Sequence, residues 1–220
     1  MKINRKTAVI TGILGALGGL VLFAGDMLYY YHPHNTDILV NMGNASGTRL
    51  LLSAVTALLA TWLYLAGTVQ IYYAFGKSPG IVRNIIVICF AAIFTAYGII
   101  HGAYLAIATS AKLAVANNLD PATATHLAIY INNVLRMFVY PVFAVLSLLF
   151  IYYVWKGKSL YPSWMILFFP LLPFLLREII VSNTGGKYKI IIGGGYYNLI
   201  LVIFFIASTI AIIQNKRKAL

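Results

Sequence analysis

Residues 8–31 read AVITGILGALGGLVLFAGDMLYYY, an apolar run ending in an acid and three tyrosines. It exceeds the roughly 20 residues a helix needs to cross a bilayer. Comparable runs follow at 50–75, 82–110, 127–154, 164–181 and 199–213, the last of them short and able to begin before Leu199. Of the 220 residues, 61% are hydrophobic and 9% are charged, and mean hydropathy is +0.88. A soluble domain carries about 25% charged residues. The expected fold is therefore an all-α integral membrane protein with six transmembrane helices, folded as a single domain over 1–220.

The net charge of +12 is explained by where the cations fall. With the amino terminus in the cytoplasm, Lys2, Arg5, Lys6, Lys77, Arg83, Lys156 and Lys158 gather on the inner side with the tail cations Lys216, Arg217 and Lys218. The outer side holds Arg49, Lys112, Lys187 and Lys189. This obeys the positive-inside rule, puts both termini in the cytoplasm, and predicts a multi-pass protein of a cell membrane, a bacterial-type cytoplasmic membrane first. A soluble segment with interleaved basic and aromatic residues is absent, so nucleic acid is not an expected partner. Cys89 is the single cysteine and allows no intrachain disulfide.

Asp26 is the informative residue of the opening run. A carboxylate on a membrane helix costs a few kcal/mol unless it is turned inward, paired or wetted. Gly15 and Gly19 form a small-xxx-small pair that lets another backbone approach, within one chain or between copies of a homo-oligomer. Asp26 follows Gly19 by seven residues and shares that face, so it is expected to point into protein.

Other ionisable groups recur at similar depth. Arg49 opens the second helix, above a weakly polar stripe. In the third helix His101 shares a face with Tyr97 and Tyr104. In the fourth, His126, Tyr130, Asn133, Arg136 and Tyr140 recur at steps of three or four. Arg136 lies too deep to snorkel and calls for a counter-anion. The fifth run contains Pro170 and Pro173, which predict a kink or break, followed by the adjacent pair Arg177 and Glu178. One arrangement gives Glu178 to Arg136 and leaves Arg177 for Asp26 or a ligand. Residues 182–198 read as an outer glycine-rich loop with a strand-like centre, suited to a lid, and Asn198 opens the last helix.

These residues are expected to meet in one pocket in the outer half of the bundle, above a dry inner half. Arg49, Arg136 and Arg177 outweigh Asp26 and Glu178, so the natural guest is an amphipathic or anionic small molecule or a lipid headgroup. On this reading Arg136, Arg177, Arg49, Asn133, Tyr97, Tyr104, Tyr130 and Asn198 bind the guest, and the protein acts as a receptor, carrier or transporter. A second reading is a membrane-embedded enzyme acting on a lipid, with His101 or Asp26 as general base and Glu178 as acid. A third is that the charges only bridge helices. No GxSxG, HExxH or phosphate-cradling motif is present. His32, His34 and Asp37 lack a metal-ligand spacing, so neither metal nor cofactor is expected.

Overall fold

A computed structural model describes residues 3–215, and every described element is helical. Lys2, Lys216, Arg217, Lys218 and the side chain of Lys187 lie outside the described part. The elements are α1 (Arg5–Tyr30), α2 (Ile38–Asn44), α3 (Gly47–Ala74), α4 (Gly80–Ala116), α5 (Pro121–Trp155), α6 (Met165–Phe168), α7 (Leu171–Ser182) and α8 (Gly186–Asn215). Five of them, α1, α3, α4, α5 and α8, are long and apolar enough to cross a membrane. The chain is a multi-pass membrane protein.

Contacts at the two ends of the bundle fix the path of the chain. Arg5 donates to the carbonyls of Ile212 and Ile213, so the start of α1 meets the end of α8. At the same end Ser78 donates to the Lys158 carbonyl, and the Leu160 amide donates to the carbonyl of Ala74. At the other end Asn41 of α2 donates to Tyr30 O at 2.8 Å, and Lys112 of α4 reaches Ala45 O. Ile190 of α8 packs there with Tyr29 and Tyr30. Since α5 ends at the first face and α8 begins at the second, the segment through α6 and α7 runs back between them.

The glycine face of α1 is used inside the chain. Gly12, Gly15, Gly18 and Gly19 are all buried. A Cβ on Gly15 would come within 2.6 Å of the Phe205 ring, and one on Gly19 would sit 3.0 Å from the Asn198 carbonyl oxygen. The α1 backbone thus lies directly against α8 and α3, and a contact between copies would need another face.

The proline pair interrupts the helix where the sequence predicts. Phe169 adopts an extended backbone (φ −67°, ψ 139°) because Pro170 restricts the residue before it. Tyr196 of α8 then ties down the first turn of α7 by donating to the Pro173 carbonyl at 2.8 Å.

One expected loop is corrected, and two connections between apolar runs hold more helix than the runs alone. Over 182–198 the turn is confined to the residues before Gly186, and the strand-like centre is helix. Away from water a helix satisfies its own backbone, which overrides the β-propensity of Ile190, Ile191 and Ile192. Gly194 and Gly195 serve packing within that helix, making room for the Tyr30 and Phe23 rings of α1. The connection between the runs 82–110 and 127–154 is shorter than the gap between them, because α4 continues to Ala116 and α5 starts at Pro121. Asn118 takes the left-handed conformation (φ 55°), and the Leu119 amide reaches back to Ala114 O at 2.8 Å, closing a helix stop. The loop after Tyr31 contains α2, capped by Asp37, whose carboxylate accepts from the Val40 amide.

Candidate functional site

A cavity of about 500 Å³ opens between α4, α5, α7 and α8, with Asp26 and Tyr30 of α1 on its wall. Its lining is layered. Arg136, Arg177, Lys189 and Tyr104 stand near the end away from Arg5; Asp26, Tyr97, His101, Tyr197 and Asn198 form the middle; Phe90, Phe94, Phe143, Leu146 and Leu201 form the floor. Arg136 and Leu146 lie ten residues apart on one helix, so the cavity is roughly 15 Å deep at a rise of 1.5 Å per residue.

The middle layer is assembled from three helices. Asp26 is 2% exposed. One of its carboxylate oxygens lies 3.4 Å from His101 Nε2, and the other accepts from the Asn198 amide at 2.6 Å. The second ring nitrogen of His101, Nδ1, lies 2.9 Å from the carbonyl oxygen of Tyr97, one turn back on α4. Asn198 is buried, and its own Oδ1 has no partner. This orphan acceptor is on the cavity wall, where it calls for a donor.

Arg136 is held by two uncharged groups. Nε donates to Asn132 Oδ1 at 3.2 Å, and Nη2 donates to the Tyr104 hydroxyl, with the guanidinium over the Tyr104 ring. Asn132 is anchored in turn by donating to Ile100 O at 3.0 Å. Among the described residues no carboxylate pairs with Arg136. The counter-anion expected from the sequence is thus supplied by neither Asp26 nor Glu178.

Arg177 and Glu178 pair with each other on α7, the acid at the exposed surface and the guanidinium at the cavity and near Tyr197. This corrects the arrangement that gave Glu178 to Arg136: α7 buries none of its residues and Glu178 is exposed, while the Arg177 guanidinium reaches across to α8, over Tyr197 and near Gly193 O. Arg177 Nε is buried without a partner.

The remaining expected residues are not brought to the cavity. Arg49 donates to the carbonyls of Met27 and Tyr31, closing the end of α1 with a cation where the helix dipole favours one. Tyr130 is 61% exposed, and Asn133 is exposed beside a separate small cleft between α2, α4 and α5. His32 and His34 stand on an exposed loop. Asn132, one position from the expected Asn133, is the buried member of that pair. Its signal was available, since it precedes Arg136 by four residues, but both neighbours satisfy helical spacing to that arginine.

The inner half carries a buried polar network of its own. Gln70 of α3, fully buried, donates to Thr209 at 2.9 Å and accepts from Ser208 at 2.8 Å, and Ser208 also meets the Tyr161 hydroxyl at 2.7 Å. The network is uncharged, and its hydrogen bonds join α3, α8 and the segment before α6.

Comparison with known proteins adds membership and no activity. No curated protein and no solved structure matches the chain. Residues 1–215 match the group described as "Family of unknown function (DUF6796)", and the chain belongs to that family.

Proposed function

We propose that this is a six-span protein of a cell membrane, with both termini in the cytoplasm, whose outward cavity binds an amphipathic anion as a receptor, carrier or transporter. The topology rests on charge: Arg5, Lys6, Lys77, Arg83, Lys156 and Lys158 share one end of the bundle, against Arg49, Lys112 and Lys189 at the other. The sixth crossing is the broken pair α6 and α7, which spans 165–182, roughly 27 Å as helix.

The observation that carries the reading is Arg136, a partly buried guanidinium on the wall of a cavity of about 500 Å³ with no acid paired to it among the described residues. A cation kept there without a carboxylate is a site for a guest's anion, and arginine suits phosphate, sulfonate and carboxylate groups by its planar fork. Arg177 and Lys189 add positive charge to the same mouth. The phenyl and leucyl floor below takes a chain, and the volume lies in the range of small-molecule sites. The reading in which the charges only bridge helices does not account for an arginine that bridges to no acid.

A second reading has one observation in its favour. Asp26 and His101 touch on the cavity wall, as a general base and its orienting partner would. Glu178, the acid of that scheme, is outside the cavity. Incubation with total membrane lipid, followed by mass spectrometry, separates the two: catalysis yields a product that His101→Ala abolishes, whereas binding leaves the lipids unchanged.

Calorimetry with three probes tests the binding reading. Decanesulfonate has the anion and the chain, propanesulfonate the anion alone, and decyltrimethylammonium the chain with the opposite charge. Decanesulfonate is expected to bind best and the ammonium not at all. Equal binding of the two decyl probes contradicts the proposal.

A further inference from the structure

The middle layer of the cavity can be read by counting hydrogens. A backbone carbonyl only accepts, so the 2.9 Å contact with Tyr97 O requires the proton of His101 to sit on Nδ1. In a neutral imidazole Nε2 is then a bare acceptor, yet it faces an oxygen of Asp26 at 3.4 Å. Two acceptors cannot face each other unless a proton lies between them. Asn198 does not relieve the conflict, because it donates to the other carboxylate oxygen.

We propose that Asp26, His101 and Asn198 form a proton-binding site coupled to the anionic guest: the guest enters against a protonated, neutral pair, and where the pair has lost its proton the anion and a proton are taken up together. This rests on the anion-binding reading above. With its proton, the Asp26 and His101 pair is neutral overall; without it, the pair carries one buried negative charge on the wall the guest must enter. The groups facing the pair are Tyr29 and Tyr30 on α1, Tyr64 on α3, Tyr97 and Tyr104 on α4, and Arg136 on α5. The phenols ionise only near pH 10 in water, so Arg136 is the one fixed charge among them. Guest and pair are neighbours: Arg136 donates to the Tyr104 hydroxyl, and the Tyr104 and His101 ring centroids are 5.8 Å apart, so charge at one acts on the other through space. An anion at Arg136 favours the protonated pair, and by reciprocity the proton favours the anion. Where the pair stands empty, the proton comes from the solvent on the outer side, through the cavity mouth.

The test has two arms on the full chain in nanodiscs. In the first, with no guest, His32→Gln, His34→Gln and His126→Gln remove the exposed histidines, and nitrogen NMR reads His101 alone. The expected spectrum at pH 7 has a proton on Nδ1 and a second one carried by Nε2 or shared with Asp26, and Asp26→Asn leaves Nε2 bare. A bare Nδ1, or a ring unaffected by Asp26→Asn, overturns the proton site.

In the second arm, calorimetry measures decanesulfonate, whose headgroup does not titrate, at pH 6 and pH 8.5 in buffers of different ionisation heat. Wild type is expected to bind roughly five- to a hundredfold more weakly at pH 8.5, and at that pH to take up protons as it binds. Asp26→Asn is expected to bind equally at both values with no uptake. Equal wild-type affinity at both values with zero proton count overturns the coupling while leaving anion binding intact. No sulfonate binding at either pH overturns the coupling together with the anion reading, and the ring spectrum alone then decides the proton site.

Discussion

Asn198 on α8 donates its side-chain amide to the Asp26 carboxylate on α1 at 2.6 Å, across 172 residues of sequence. Both residues are at most 2% exposed. Asp26 is therefore fixed by α8 on one oxygen and by α4 on the other, and three helices depend on a single carboxylate.

Asn198→Leu leaves one Asp26 oxygen without a donor. An unsatisfied buried polar group costs about 1–3 kcal/mol, more when it is charged. Thermal unfolding in detergent should show a lowered midpoint. Asn198→Asp sets two carboxylates against each other, and its midpoint should fall further as the pH is raised.

Gly12→Ala tests the inner network. The new Cβ would sit 1.9 Å from Gln70 Nε2, in an amide whose Nε2 already donates to Thr209 and whose Oε1 accepts from Ser208. Displacing that amide in a packed core should destabilise by about 1–3 kcal/mol. Gln70→Ser in the same chain removes the clash and should recover part of the loss. An unchanged unfolding midpoint for Gly12→Ala would contradict this packing.

The floor of the cavity predicts a chain-length effect. Val139 lines the cavity one turn below Arg136, and Val139→Phe narrows the way to the floor. Decanesulfonate binding should weaken while the weaker binding of propanesulfonate stays the same. Arg136→Ala should weaken decanesulfonate roughly ten- to a hundredfold, the scale of a lost charge-assisted contact.

Asp120 gives a pH effect outside the spans. The Thr123 hydroxyl, with the backbone amides of Thr123 and Ala122, holds its carboxyl below the ordinary range. A depressed folded value means that the cap is fully present above the unfolded pKa, about 3.9, and is lost as the pH falls through the folded value. Hydrogen-exchange protection at Ala122 and Thr123 should drop on acidification below pH 4. In Asp120→Asn, which caps without titrating, it should stay constant.

Much of the site was legible because an ionisable or amide side chain in an apolar helix has few places to go. Asp26, His101, Arg136 and Asn198 follow from that argument, and they do share a cavity. The failures came where sequence spacing is degenerate or a neighbour is strictly local. Asn132 and Asn133 both suit helical spacing to Arg136, and only packing against Ile100 selects the first. Sequence depth alone allows Glu178 to reach a distant arginine, but on a helix that buries nothing the acid pairs with the residue beside it. Isoleucines between glycines read as a strand in water, whereas the glycines are the small face of a helix pressed on Phe23 and Tyr30.

Native mass spectrometry of the protein purified from membranes in mild detergent tests the central claim most directly, by comparing wild type with the Arg136→Ala, Arg177→Ala double variant. The account predicts an anionic amphiphile retained at one per chain by wild type and lost from the folded double variant. Wild type carrying no anionic amphiphile, or both proteins carrying the same load, would contradict it.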